Sequence, residues 1–205
     1  MTKKEKAELV LKILEKYIPD PKIPLKHTSS FTLLVATLLS AQCTDERVNL
    51  VTEKLFKIAN TPKKMSQLEQ VNLKALIQSC GLSNTKSKAL INLSKLLLEH
   101  FDGEVPKTFE ELESLPGVGH KTASVVMAQA FNVPAFPVDT HIHRVAKRWG
   151  LSNGKNVKTT EEDLKKLIPK SRWIKAHLQI ILFARKYCRA KVHKKSECPI
   201  CSKLS

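Results

Sequence analysis

Apolar residues recur along this chain at spacings of three and four positions, which is the pattern of helices with one buried face. The spacing predicts helices over residues 9–17, 30–39, 48–58, 73–77, 84–98, 109–115, 123–130, 140–149, 159 onward and 174–186. No segment alternates apolar and polar residues between turn dipeptides, as the strands of a sheet would. The pattern therefore predicts an all-α fold.

Polar residues and glycines mark several of the predicted helix ends. Ser30 is placed to cap the second helix, and Thr159 with Glu162 has the spacing of a capping box. Gly81 and Gly150 are expected to end the helices that precede them.

The segment 115–122, Leu-Pro-Gly-Val-Gly-His-Lys-Thr, is the most specific string in the chain. Gly117 and Gly119 allow a tight hairpin whose backbone N–H groups approach a phosphate closely. Lys121 falls in the first turn of the following helix, where the helix dipole disfavours a cation. A desolvated amine there would be a nucleophile. The ordinary alternatives are a plain connection between helices and a solvated surface lysine.

The charge is high and unevenly placed. The 205 residues include 35 Lys and Arg against 19 Asp and Glu, a net charge of +16. Residues 141–205 contain 17 basic and 4 acidic residues and so contribute +13 of that total. Such asymmetry is typical of nucleic-acid binding. A basic surface kept for solubility, or for anionic membranes, is the alternative.

Membrane insertion and secretion are not predicted. The longest apolar stretch, residues 31–41, is too short to span a bilayer, and residues 1–6 lack the apolar core of a signal peptide. Five cysteines are an odd number, which argues against a disulfide framework. We expect a cytoplasmic protein associated with the nucleoid through DNA, or a nuclear one if the source has a nucleus.

Asp139 directly precedes the helix predicted from Thr140 and is placed to be its N-cap. An ionised carboxylate beside a deoxyribose can also stabilise positive charge that builds at C1′ when a base departs. The two roles are compatible.

Four strings, in this order, resemble the endonuclease III family of helix-hairpin-helix DNA glycosylases: residues 39–45, 80–86, 115–122 and 138–141. The resemblance covers nearly the whole chain. It implies two all-α domains with a DNA cleft between them. Residues 23–133 would form a six-helix barrel containing the helix-hairpin-helix at 108–130, and residues 1–22 with 134–205 the second domain. The stretch 132–137, with its two prolines, is where the chain is expected to cross between them.

The resemblance also implies an activity: a bifunctional DNA glycosylase and AP lyase that removes oxidised pyrimidines from duplex DNA and cleaves 3′ to the abasic site. Lys121 would be the Schiff-base nucleophile and Asp139 its partner. Gln42 would fill the gap left by the extruded nucleotide and Leu82 would wedge into the opposite strand. Further DNA contacts are expected at Gly117, Val118, Gly119, His120 and His141. Without the resemblance, Leu82 would be interpreted as a core leucine.

Two other functions stay open at this point. A monofunctional glycosylase of the adenine or mismatch-thymine type would share the fold, although the lysine at position 121 argues against the adenine type. A non-catalytic helix-hairpin-helix DNA-binding protein needs the hairpin and the charge, but leaves Asp139 and the Gln42 string unexplained. One duplex site per chain makes a monomer adequate.

The C-terminal cysteines depart from the resemblance. The family carries a [4Fe–4S] cluster on four cysteines separated by six, two and five residues. Here nine residues separate Cys188 from Cys198 and two separate Cys198 from Cys201, and the expected fourth position lies beyond Ser205. Three thiolates do not fully ligate a cubane cluster. Three outcomes stay open: a [4Fe–4S] cluster, a zinc-like site completed by His193, or no metal.

Overall fold

The computed structural model describes residues 1–204, which contain helices and no strands, so the all-α prediction is confirmed. Two short 3₁₀ turns lie at Gln78–Cys80 and Lys170–Arg172. The α-helices are α1 (Lys3–Tyr17), α2 (Ser30–Leu39), α3 (Asp45–Ile58), α4 (Pro62–Ser66), α5 (Gln70–Ile77), α6 (Ser83–His100), α7 (Phe109–Ser114), α8 (His120–Ala130), α9 (Thr140–Arg148), α10 (Val157–Leu167) and α11 (Trp173–Lys186).

The chain divides into two compact units. Residues 23–133 form one, and residues 1–22 together with 134–205 form the other. The change of unit falls between Val133 and Pro134. Each unit has a hydrophobic core of its own.

The unit of residues 23–133 is built around α2. Every residue of this helix after Ser30 is buried, as expected for a helix that is apolar on all sides. Helices α3, α6 and α8 contact it, and α4 and α5 pack on α6. Residues 23–133 contain seven α-helices, and the shortest of them, α4, begins at Pro62.

The unit formed by both ends of the chain packs α1 and α9 against α11. Leu14, Trp149 and Phe183 are fully buried at its centre. The Tyr17 ring meets the Phe183 ring edge-on, with the ring centroids 5.9 Å apart. The apolar face of α1 therefore finds its partner in the last helix of the chain.

For two helices, the residue predicted to be the N-cap is not the one that caps the helix. Ser29, not Ser30, caps α2: its hydroxyl accepts from the Thr32 N–H. Asn156 caps α10, with its side-chain oxygen 2.7 Å from the Thr159 N, so Thr159 lies inside the helix it was expected to start. Gly150 follows the end of α9 with a φ of +69°, as predicted, whereas Gly81, with a φ of +68°, ends the 3₁₀ turn that continues from α5. No helix within residues 1–204 is long and apolar enough to cross a membrane.

Candidate functional site

Helices α7 and α8 are joined by a tight turn. The Val118 N–H donates to the Leu115 carbonyl at 3.1 Å, and Gly117 has a φ of +78°, as the third residue of a type II turn requires. The space around Gly117 is also too small for a side chain. A Cβ on Gly117 would lie 2.9 Å from the Ala89 Cβ and 3.1 Å from the Leu38 Cδ1. The hairpin therefore packs its glycine directly on α2 and α6.

The start of α8 is left open. Gly119 is the N-cap residue, and no side chain caps the helix. A Cβ on Gly119 would meet nothing within 4 Å. Val118 is buried, so this residue anchors the turn while the helix start stays accessible. Uncapped N–H groups at the positive end of a helix form an anion-binding position.

Lys121 is exposed in the first turn of α8 and makes no hydrogen bond or ion pair with the described residues. The prediction that the protein desolvates this amine is therefore wrong for the protein without DNA. The neighbouring His120 is held in place: its Nδ1 lies 2.8 Å from Glu113 Oε1 and its ring stacks on Phe109.

Asp139 is the N-cap of α9, as the sequence predicts. Its Oδ1 accepts from the Ile142 N–H at 2.8 Å, and the residue is half-buried. His141 is also half-buried, and its Nδ1 lies 3.4 Å from the Arg144 guanidinium. Lys121 belongs to the unit of residues 23–133, and Asp139 and His141 to the other unit.

Gln42 and Leu82 share an unusual backbone. Both are exposed and both are left-handed, with φ of +56° and +48°. Leu82 is 54% exposed, so the interpretation as a core leucine is wrong. Left-handed residues other than glycine cost about 1–3 kcal/mol each and concentrate at functional sites.

Sequence reasoning assigned no role to Lys86, which connects the loops carrying these two residues. Its buried ammonium donates to the carbonyls of Leu39 (2.9 Å), Ala41 (2.7 Å) and Cys80 (2.8 Å). All three protons of the ammonium are thereby used. Burial lowers the pKa of Lys86, while the Cys80 and Cys43 thiols act in the opposite direction. A signal was present, because Lys86 continues the apolar stripe of Leu90, Leu93 and Leu97 on α6.

Cys43 and Cys80 lie beside this ammonium and serve as small apolar fillers, as the sequence indicates. Burial first, and then the neighbouring Cys43 thiol, raise the pKa of Cys80 to about 11, so this group stays a thiol at neutral pH.

The C-terminal cysteines converge with a histidine. One ligand atom from each of Cys188, His193, Cys198 and Cys201 lies within 4.8 Å of the others, and the three cysteines are buried. This cluster has the residue types and the closeness of a metal-binding site.

Comparisons with known proteins identify the family of this chain. The family model described as HhH-GPD superfamily base excision DNA repair protein matches residues 35–170, which is most of the chain. This match shows that the chain is a member of the HhH-GPD superfamily of base excision DNA repair proteins.

Within that class, endonuclease III of Rickettsia felis is 44% identical over 198 residues, covering 95% of this chain and 92% of the relative. A solved non-covalent endonuclease III–DNA complex superposes with a TM-score of 0.95 at 40% identity, over 98% of this chain and 95% of that chain. A trapped endonuclease III–DNA covalent intermediate gives 0.94 at 40% identity, over 98% and 94%. The chain therefore belongs to the endonuclease III family.

The hairpin predicts different costs for its two glycines. Gly117→Ala places a methyl group against Ala89 and Leu38 at a positive φ, so we expect a loss of about 2 kcal/mol or more in the free energy of unfolding. Gly119→Ala, with a φ of −97° and open space, is the matched control and should lose less than about 1 kcal/mol. Urea denaturation of both variants measures the difference. Equal losses would contradict the packing role of Gly117.

Lys86→Met tests the buried ammonium. The substitution keeps the apolar stem but leaves three carbonyls without their donor, so we expect a loss of about 3 kcal/mol in unfolding free energy. Lys88→Met, exposed on the same helix, should stay within about 0.5 kcal/mol of the parent. If both variants unfold at the parent's urea midpoint, Lys86 is not the connection described above.

Proposed function

We propose that this chain is a bifunctional DNA glycosylase and AP lyase of base excision repair, acting on oxidised pyrimidines in duplex DNA with Lys121 as the nucleophile. The observation that carries the proposal is the exposed lysine in the first turn of α8, directly after an uncapped helix start. Two related endonuclease III–DNA complexes, one of them a trapped covalent intermediate, support it.

Binding to DNA begins at the backbone. The N–H groups at the start of α8 hold a phosphate, with Gly117 shaping the turn and Gly119 letting the phosphate approach. His120 and His141 add contacts to the DNA backbone. Such contacts position the duplex without reading its sequence. The net charge of +16 supplies the long-range attraction.

The target base leaves the stack before the chemistry begins. Gln42 then occupies the space in the duplex and Leu82 separates the bases of the opposite strand. Their exposure and their left-handed backbones support these roles, because both side chains project from loops that Lys86 holds to the rest of the unit. An exposed leucine on a fixed loop is suited to unstacking bases.

The reaction follows from the chemistry of an amine. The Lys121 Nζ, as the neutral amine, forms a bond to C1′ while the glycosidic bond breaks, and the base departs with that electron pair and takes up a proton. The attached nitrogen gives up one proton, its lone pair forms the C1′=N bond as the C1′–O4′ bond breaks, and O4′ takes up a proton, which leaves a protonated Schiff base. Loss of the C2′ proton then forms the C2′–C3′ double bond and expels the 3′ phosphate. Water hydrolyses the Schiff base and restores the amine.

Asp139 stabilises the positive charge that builds on the sugar as the base leaves. The structural support is its fixed orientation: the Ile142 N–H holds one carboxylate oxygen, which leaves the second oxygen available. A preoriented charge of this kind stabilises a transition state without reorganising during the reaction.

We also propose that Cys188, His193, Cys198 and Cys201 bind a metal that has a structural role. The four residues belong to the unit formed by both ends of the chain, whereas Lys121 belongs to residues 23–133. No step of the reaction above passes through the metal.

Lys121→Gln tests the nucleophile. Borohydride reduces a Schiff base to a stable amine, so the parent protein should become trapped on duplex DNA carrying an abasic site, and the variant should show no trapped complex. Salt-dependent DNA binding, measured by fluorescence anisotropy, should change little, because the side chain adds one cation to many. Lys74→Gln, exposed in α5, is the control and should trap as the parent does.

Trapping of Lys121→Gln at the parental level would assign the nucleophile to another amine. If the parent excises thymine glycol without being trapped, the chain is a monofunctional glycosylase. DNA binding without excision or trapping would leave only a DNA-binding protein.

Asp139→Asn separates charge from capping. Asparagine is as good an N-cap as aspartate, so α9 and the melting temperature should be preserved while the charge is lost. We expect single-turnover release of thymine glycol to slow by about a hundredfold or more. A variant with parental release rate and a clearly lower melting temperature would show that capping is the whole role of Asp139.

A further inference from the structure

We propose that Cys188, His193, Cys198 and Cys201 bind one tetrahedral zinc ion, and not the [4Fe–4S] cluster that the family resemblance implies. The inference deepens the metal-binding role proposed above. It depends on four observations in residues 144–201.

The first observation is the spacing of the donors. In a cubane cluster each thiolate binds a different iron at a corner of the cube, so the ligand sulfurs lie about 6 Å apart. On one tetrahedral zinc ion, with Zn–S bonds of about 2.3 Å, two sulfurs lie about 3.8 Å apart. Here the Cys188 and Cys201 Sγ atoms are 3.8 Å apart, and all four donors fit within 4.8 Å. These donor distances match one ion and are too short for a cubane.

The second observation is the state of His193. Its Nε2 is buried and has no hydrogen-bond partner among the described residues. A buried polar nitrogen without a partner costs about 1–3 kcal/mol, so a ligand is expected at this atom. Because His193 belongs to the same cluster as the three thiols, it is the fourth donor that the cysteines lack.

The third observation is the backbone that presents His193. Val192 has a φ of +55° and is 94% exposed. A β-branched residue in the left-handed region is a real outlier, and nothing in the packing of Val192 offsets its cost. Coordination of His193 supplies the compensation, because the left-handed turn is what brings the imidazole back to the cysteines.

The fourth observation is the set of donors around the sulfurs. The Arg148 guanidinium donates to Cys188 Sγ at 3.3 Å, and the Cys201 N–H donates to Cys198 Sγ at 3.5 Å. The Arg144 guanidinium holds the Cys188 carbonyl at 3.0 Å. N–H groups directed at thiolate sulfurs orient the ligands of a metal site. Zinc with three thiolates carries a net charge of −1, which Arg148 offsets.

The types of the four ligands favour zinc over other single metal ions. Three thiolates and one imidazole in a closed tetrahedral site are typical of structural zinc. Zinc also binds such a site more tightly than ferrous iron does.

Elemental analysis of the full chain tests the proposal. The protein is purified anaerobically from cells grown with iron in excess over zinc, and then treated with ferrous iron and sulfide. We expect one zinc per chain, no acid-labile sulfide and a colourless solution. Four irons with visible iron–sulfur absorbance would overturn the proposal, and so would one iron without sulfide, or protein without metal. These measurements do not depend on excision or trapping, so they can fail or succeed independently of the proposed catalysis.

Variants identify the fourth ligand. His193→Ala should weaken zinc binding at least tenfold in competition with a chromophoric chelator, and His193→Cys should restore it. His100→Ala, exposed at the end of α6, is the control and should bind as the parent does. With cobalt in place of zinc, the parent should give the intense visible bands of a tetrahedral site with thiolate ligands. Unchanged zinc affinity in His193→Ala would remove His193 from the site and overturn the four-ligand assignment.

Discussion

The buried ammonium of Lys86 is the interaction on which the geometry of residues 23–133 depends. A charge in a core is tolerated only when its protons are bound, and here three backbone carbonyls bind them. Those carbonyls belong to the end of α2, to the loop after it and to the turn before α6. One side chain thus fixes three pieces of backbone that no sheet or disulfide among the described residues connects. Gln42 and Leu82 lie one and two residues away from two of these carbonyls.

Five non-glycine residues of the described chain are left-handed, and two of them, Asp102 and Asn132, are of types that tolerate this backbone. The other three lie where a side chain projects or the chain turns back. Gln42 and Leu82 hold left-handed backbones at exposed loop positions, and Val192 does so beside His193. In each case a fixed neighbour constrains the loop: Lys86 for the first two, and the cysteine cluster for the third. A loop without such a neighbour would relax to a commoner conformation. The left-handed backbone therefore depends on the contact that fixes the loop.

Helical periodicity predicted most of the fold, because each long helix buries one stripe or is buried whole. Periodicity failed where the structure depends on one residue or on a very short segment. Whether Ser29 or Ser30 caps α2 depends on a single hydroxyl, and α4 is too short to show a period. The turn at Gly117 and the N-cap at Asp139 were predictable, because each depends on a few consecutive residues. Lys86 was not assigned a role because its partners are backbone carbonyls distant in sequence, which no pattern of side chains records. The exposure of Lys121 was not predictable from the sequence either, because it depends on which other parts of the folded chain lie near it.

The C-terminal cluster shows why a motif's spacing and its chemistry must be separated. With nine residues between the first two cysteines, the loop is long enough to bring a histidine between them. In the site proposed above, that histidine makes the donor set mixed instead of thiolate-only, which suits one ion better than several irons. Ile200 and the three cysteines belong to the core of the unit formed by both chain ends, and the exposed Arg148 donates to the Cys188 Sγ. If the proposed zinc ion occupies this site, it fixes the aperiodic loop of basic residues by completing a closed coordination shell, and that structural role needs no redox centre.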